Sequence, residues 1–254
     1  MTSILEPRKG AYVIAGASGG LGYIVARQLA KDGSFLLLQG NRNYEKLENL
    51  ASKLGNVEMW KGDLQDEKKL AEFQKQTADF IKKQKRAAQG GEVKFGLFNG
   101  IGMRARLDQD IDDGQVTKLY IDSVEINYWI PIGIAETFAQ EVGNSKARIL
   151  FFSTEQTILR PREKRPFWMP KQTLENYAIE MSKKYPSIYI NTILPGTLDI
   201  GRFSDDEKEA QENGTLVDRE KALKTCLEYL TSTEETGKRI LLTAERRETT
   251  VRKL

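Results

Sequence analysis

The residues best suited to chemistry lie at 13–22, Val-Ile-Ala-Gly-Ala-Ser-Gly-Gly-Leu-Gly, where an apolar run ends in glycines and reopens as an amphipathic helical pattern. Such a stretch can cradle a phosphate. Gly16 supplies a tight turn, Gly20 lets backbone N–H groups approach a pyrophosphate, and Gly22 removes the side chain where the helix must pack on the strand. The positive end of that helix would face the negative charge. Glycine also serves strand-to-helix turns that hold no ligand, so the surrounding elements decide the reading.

A second concentration of chemistry lies between Glu155 and Pro166, where Arg160, Arg162, Lys164 and Arg165 crowd together, with Arg104 and Arg106 earlier in the chain. Those cations could hold a carboxylate, a phosphate or an acyl-carrier group, or they could form a solvated loop or a subunit contact. Beside them Phe167, Trp168 and Met169 could line an apolar pocket or pack the core.

What is missing narrows the choice. The chain has no histidine and one cysteine, Cys226, so it has no histidine general base, no Ser–His pair, no His/Cys zinc site and no internal disulfide. Most hydrolase chemistry is removed, and no metal is expected. The 39 basic and 36 acidic residues leave a net charge of +3, which makes no general case for nucleic acid. No stretch approaches the roughly 18 apolar residues of a membrane span, and the first residues lack the pattern of a signal peptide, so a soluble cytoplasmic protein is expected.

Seven apolar, β-branched runs can form strands: 11–15, 34–39, 57–62, 93–98, 148–153, 188–194 and 239–243. Helical patterns separate them. Leu21, Ile24, Val25, Gln28 and Leu29 share one face after the first strand, and Leu70, Phe73, Thr77, Phe80 and Ile81 share one after the third. Strand–helix alternation predicts a Rossmann-type doubly wound parallel sheet of about seven strands, layered α/β/α, in a single domain over 1–254. In that fold ligands bind beyond the carboxyl ends of the strands, where the glycine turn sits. The end of the second strand then chooses the dinucleotide. Here the run is Leu38-Gln39-Gly40-Asn41-Arg42-Asn43, with no carboxylate for a ribose 2′-hydroxyl. Arg42 can offer its planar fork to a 2′-phosphate with Asn41 beside it, which favours NADP(H) over NAD(H), unless Arg42 is simply a solvated loop residue.

Together these landmarks resemble the short-chain dehydrogenase/reductase family over about residues 10 to 243. The family's glycine turn corresponds to Ala15-Gly16-Ala17-Ser18-Gly19-Gly20-Leu21-Gly22, with alanine in place of threonine. An aspartate that contacts adenine corresponds to Asp63, followed by Leu64. The segment after the fourth strand is similar through Asn99 and Gly100, the helix asparagine through Asn127, and the Pro-Gly segment after the sixth strand through Pro195-Gly196-Thr197. The resemblance implies that these residues bind the cofactor, and that Asn127 orders a water.

At the chemical centre the family has a serine, then a tyrosine thirteen residues on, then a lysine four further. Counting here gives Thr154, Phe167 and Lys171, with Ser153 as the alternative if the register differs by one. The resemblance therefore implies that Thr154 or Ser153 polarises a carbonyl and that Lys171 holds the nicotinamide ribose. Phe167 has no proton to give, so proton delivery passes to a water or to Lys171. Phe167 leaves two explanations open, a natural departure or a Tyr-to-Phe replacement that traps substrate. Tyr177 does not restore the motif, because Met181 stands four residues after it. Pro170 disfavours helix at Met169, so the helix carrying Lys171 is expected to start late, with Phe167 and Lys171 off a common face.

The same resemblance places the basic loop beside the substrate, contacted by Arg160, Arg162 and Trp168, and the loop's cations suit an anionic group on it. It makes 197–217 a polar, loop-like lid, and it implies a homo-oligomer, dimer or tetramer. Residues 244–254 read as a charged tail. The expected activity is NADP(H)-dependent hydride transfer between nicotinamide and a carbonyl or alcohol substrate, with an altered catalytic centre. The alternative is a cofactor-binding protein of this fold without redox turnover.

Overall fold

The structure, a computed structural model, describes residues 10–105, 107, 112–200, 205–245 and 248–254. Its strands are β1 (Gly10–Ala15), β2 (Phe35–Gly40), β3 (Val57–Lys61), β4 (Lys94–Asn99), β5 (Ala147–Phe152), β6 (Ile188–Pro195), β7 (Arg239–Glu245) and β8 (Glu248–Lys253). The helices are α1 (Gly20–Lys31), α2 (Glu45–Ala51), α3 (Glu67–Ala87), α4 (Asp113–Val124), α5 (Ile130–Val142), α6 (Gln156–Leu159), α7 (Arg165–Lys184), α8 (Asp205–Glu212) and α9 (Arg219–Thr231). A π-helical segment, Glu125–Trp129, joins α4 to α5, and a 3₁₀ turn, Arg162–Lys164, precedes α7.

One sheet runs in the order β3-β2-β1-β4-β5-β6-β7-β8. The first seven strands pair in parallel, as the alternation predicts, because each crossover returns the chain to the end of the sheet at which the preceding strand began. All six residues of β1 are buried, as befits a strand covered on both faces. One face packs Phe73, Phe80 and Ile81 of α3 with Ile134 and Phe138 of α5 and Leu174 of α7. The other packs Leu21, Val25 and Leu29 of α1 against Leu223, Cys226 and Leu230 of α9. The chain order reverses beside β1, whose neighbours are β2 and β4, and this opens a crevice at the strands' carboxyl ends.

Three expectations need correction. Residues 244–254 are no free tail: β8 folds back antiparallel on β7, pairing Thr243 with Thr250 and Leu242 with Val251, so the sheet has eight strands. Its exposed Glu, Arg and Lys residues conceal an edge strand, since a charged edge protects against further pairing. The span 197–217 is not simply a loop: a bridge between Leu198 and Val217 closes its base and α8 lies within it, although 201–204 fall outside the described residues. Finally, α7 does not start late. It begins at Arg165 and runs through Pro170. Pro170 lacks the N–H that would bond the Pro166 carbonyl, and the Ser123 hydroxyl of α4 donates to that carbonyl instead, at 2.6 Å. A bond from a neighbouring helix thus replaces the one that proline removes.

Candidate active site

The glycine turn is held from beneath. Gly16 has φ of 79°, a conformation glycine adopts without strain. Its N–H donates to Gln39 Oε1 at 2.8 Å, while the Ala17 N–H donates to the Gln39 carbonyl at 2.8 Å. Gln39 Nε2 also donates to the Gly62 carbonyl at 3.2 Å, so one buried side chain ties the turn to the ends of β2 and β3. A Cβ on Gly22 would lie 2.4 Å from the Gly16 carbonyl oxygen, so the helix can pack this close only without one. The N-terminus of α1 has no side-chain cap and no acidic residue in its first turn, leaving unpaired N–H groups. The residues present fit a phosphate group.

The turn opens into a cleft of about 320 Å3. From the β1 side it is lined by Gly16, Gly19, Gly20, Leu21 and Gly22, and from β5 and its continuation by Phe152, Ser153, Thr154, Glu155 and Gln156. Phe167 and Lys171 enter from α7, and Pro195, Gly196 and Thr197 follow β6. Gly100, Gly102, Met103 and Arg104 close the side after β4. Phe167 and Lys171 therefore share one face of α7 across a single turn, against the sequence expectation.

Lys171 is 1% exposed. Its Nζ donates to the carbonyls of Ile101 at 2.9 Å and Phe152 at 2.8 Å, which leaves a third N–H when the amine is charged. Burial pushes its pKa down to about 7, a fall partly offset by the nearby Glu175 carboxylate. The two candidate hydroxyls differ in their partners. Ser153 Oγ donates to Glu175 Oε1 at 2.5 Å, whereas the Thr154 hydroxyl accepts from the Gln156 N–H at 3.4 Å and keeps its hydrogen.

Asn127 lies in the π-helical segment and is fully buried. Its Oδ1 accepts from the Met103 N–H and its Nδ2 donates to the Met103 carbonyl, both at 3.0 Å. The second amide hydrogen goes to Ser123 Oγ at 2.8 Å. Both hydrogens are thus spent on protein, and the side chain fastens the segment after β4. The buried Asn99 similarly donates to the Pro131 carbonyl at 2.7 Å and fixes the start of α5, while the Gly100 N–H joins the Ala15 carbonyl.

Several sequence candidates lie outside this cleft. Ser18, Asn41, Arg42, Asp63, Leu64, Asn99 and Asn127 do not line it. Asn41 and Arg42 are exposed beyond β2, and Asp63 Oδ1 accepts from the Gln65 N–H at 3.1 Å. Of the four cations in the basic loop only Lys164 reaches the cleft, because Arg160 caps α6 in a left-handed conformation and Arg162 sits exposed in the 3₁₀ turn. Trp168 does not reach it either, since its indole N–H donates to the Pro161 carbonyl at 2.9 Å and pins the loop to α7. Arg106 lies outside the described residues. Tyr177 points elsewhere: its hydroxyl donates to Glu136, and burial together with that carboxylate raises its pKa.

Sequence reasoning missed Gln39, Glu155 and Glu175. Gln39 was visible as a polar residue ending an apolar strand, and Glu175 as a carboxylate one turn after Lys171 on the same helix. Glu155 gave no comparable signal. Burial raises its pKa, opposed by the charge of Lys164.

The family described as short chain dehydrogenase matches residues 11–212. No curated protein matches the chain in sequence. Among solved structures, the angucycline C-6 ketoreductase LanV with bound NADP is 16% identical, with a TM-score of 0.77 over 91% of this chain and 93% of that one. An NADPH-dependent 3-quinuclidinone reductase from Rhodotorula rubra is 15% identical, with a TM-score of 0.73 over 95% and 93%. An alcohol dehydrogenase from the archaeon Thermococcus sibiricus, complexed with 5-hydroxy-NADP, is 17% identical, with a TM-score of 0.70 over 94% and 98%. At these identities the likeness is one of fold.

Proposed function

The chain belongs to the short chain dehydrogenase family, and from that premise we propose that it is an NADP(H)-dependent oxidoreductase acting on a small carbonyl or alcohol, with Lys171 delivering the proton that Phe167 cannot. One observation carries the reading: a single cleft joins the uncapped N-terminus of α1 to Thr154, Lys171 and the Pro195–Thr197 segment. When bound, the nicotinamide supplies the hydride in reduction and takes it in oxidation.

The chain's own residues divide the remaining work. The α1 N–H groups and the backbone of 16–22 hold phosphate, with Ser18 at the turn. Asp63, Leu64, Asn99 and Gly100 shape the adenine and ribose side. Arg42 with Asn41 takes a 2′-phosphate, a reading supported by the NADP-type cofactors of the three structural neighbours. Thr154 donates its free hydroxyl hydrogen to the carbonyl oxygen, since the Ser153 hydrogen is committed to Glu175. The third N–H of Lys171 then serves ribose or the developing alkoxide. With its pKa near 7, the amine can both give and recover a proton near neutrality. Arg104 and Lys164 line the cleft from two sides and favour an anionic group on the substrate. Exposed Ile121 and Trp129, on α4 and the π-helical segment, support a homodimer through this face.

The test follows NADPH absorbance across a panel of ketones and aldehydes. We expect slow oxidation by the parent protein, and a gain on the order of a hundred- to ten-thousand-fold in Phe167→Tyr. Phe167 itself favours a second reading, cofactor binding without redox turnover. NADPH binding with no oxidation by either protein would establish that reading, and tighter binding of NAD than NADP would remove the role given to Arg42.

A further inference from the structure

Glu175 has no place in the chemistry above, yet it is 1% exposed and joins three elements. It lies one helical turn beyond Lys171 on α7. One carboxylate oxygen accepts from Ser153 at the end of β5 at 2.5 Å, and the other pairs with Arg239 of β7 at 2.7 Å. A carboxylate this deeply buried is costly unless paired and hydrogen-bonded. Here it is both, and of its two partners Ser153 lines the cleft while Arg239 does not.

We propose that Glu175 is a positioning residue for the cleft: it keeps Lys171 charged and turns the Ser153 hydroxyl away, so that Lys171 offers a third N–H and Thr154 the free hydroxyl. The inference rests on the cofactor and carbonyl roles proposed for those two residues. Its physical basis is a count of hydrogens. Neutral Lys171 has two, and the Ile101 and Phe152 carbonyls take both. Only the ammonium has one left for a ligand. Among the described residues, the charged groups around Lys171 are Glu175 on its own helix, Arg239 of β7 behind Glu175, and Glu155, Lys164 and Arg104 lining the same cleft. The Asn127 and Ser153 side chains beside it carry no charge. Of these groups, Glu175 is the one whose charge raises the Lys171 pKa against its burial.

Glu175→Gln keeps shape and removes charge. Lysine labelled with 13C at Cε, the Lys171 signal assigned by its loss in Lys171→Met, reads the ammonium without any cofactor. We expect the Lys171 titration midpoint to move to lower pH by on the order of one unit in Glu175→Gln. NADPH affinity, read by fluorescence, is expected to decline with rising pH at a correspondingly lower pH than in the parent. The double variant Glu175→Gln/Arg239→Met relieves the unpaired arginine, and the lowered midpoint should persist in it. An unshifted midpoint overturns the proposal, as does a loss of affinity equal at every pH that the double variant repairs. If the parent fails to bind NADPH, the cofactor reading falls, and the Lys171 titration alone decides whether Glu175 governs the amine.

Discussion

The two halves of the cleft are built from different materials. On the β1 side the glycine turn offers backbone N–H groups, and its working parts are gaps: the missing Cβ of Gly22 and the φ of 79° at Gly16. On the α7 side the working parts are side chains, and what they can do depends on who holds their hydrogens. Lys171 gives two N–H groups to carbonyls, Ser153 gives its hydrogen to Glu175, and Asn127 spends both of its own. The first half is sensitive to added atoms and the second to removed protons. A backbone cradle needs only the right glycines, whereas a proton-handling site needs a particular set of neighbours around each group.

The largest expected break falls on the α7 side. Lys171→Met keeps an unbranched chain of similar length but no ammonium, and we expect NADPH-dependent carbonyl reduction to fall by about a hundred- to ten-thousand-fold, read from steady-state rates. In the parent the same dependence appears as pH: carbonyl reduction needs the protonated amine, so its rate should decline as pH rises through about 7, where the Lys171 pKa lies. A rate that stays constant from about pH 6 to about pH 9, roughly one unit below that value to two above it, would remove the proton role. Thr154→Val should lower the same rate by about a hundred- to a thousand-fold while Thr154→Ser retains most of it, because only the hydroxyl is at stake. If Ser153→Ala proves the more damaging change, the assignment of the two hydroxyls is reversed.

The β1 side should fail in another way. Gly22→Ala places a methyl group against the Gly16 carbonyl, so we expect NADPH affinity in a binding titration to drop by about ten- to a hundred-fold. Turnover at saturating cofactor should then be nearly unchanged. A variant that binds normally but turns over slowly would blur the division between the halves. The smallest effect belongs to Arg42→Ala, which we expect to narrow the preference for NADP over NAD by about tenfold, the scale of one charge-assisted hydrogen bond at an exposed site.

The same division governs what could be read from the sequence. The seven parallel strands were legible because burial on both faces leaves nearly continuous apolar runs, as in the Phe35–Gly40 strand. β8 was not, because Glu248, Arg252 and Lys253 at an exposed edge look like any charged tail. Pro170 argued for a broken helix by a sound local rule, and a hydroxyl from Ser123, forty-three residues before the Pro166 carbonyl it bonds, overrode it. The basic loop read as one cluster of cations, yet only Lys164 reaches the cleft, since a left-handed cap at Arg160 and the indole bond to Pro161 direct the chain elsewhere. In each failure the deciding partner lies far along the chain or depends on a turn that composition does not reveal.

By itself, the sequence determined the alternation of strands and helices, the glycine turn at the end of the first strand, and the absence of histidine and of a tyrosine four residues before Lys171. These properties are local: periodicity, spacing and residue type are complete within a short window. The tertiary structure alone decided that Gln39 braces the turn, that Ser153 is engaged while Thr154 is not, and that Lys171 lies where burial and Glu175 oppose each other. Desolvation and hydrogen-bond commitment are set by atoms brought together from distant segments, so they come into being only when the chain has folded.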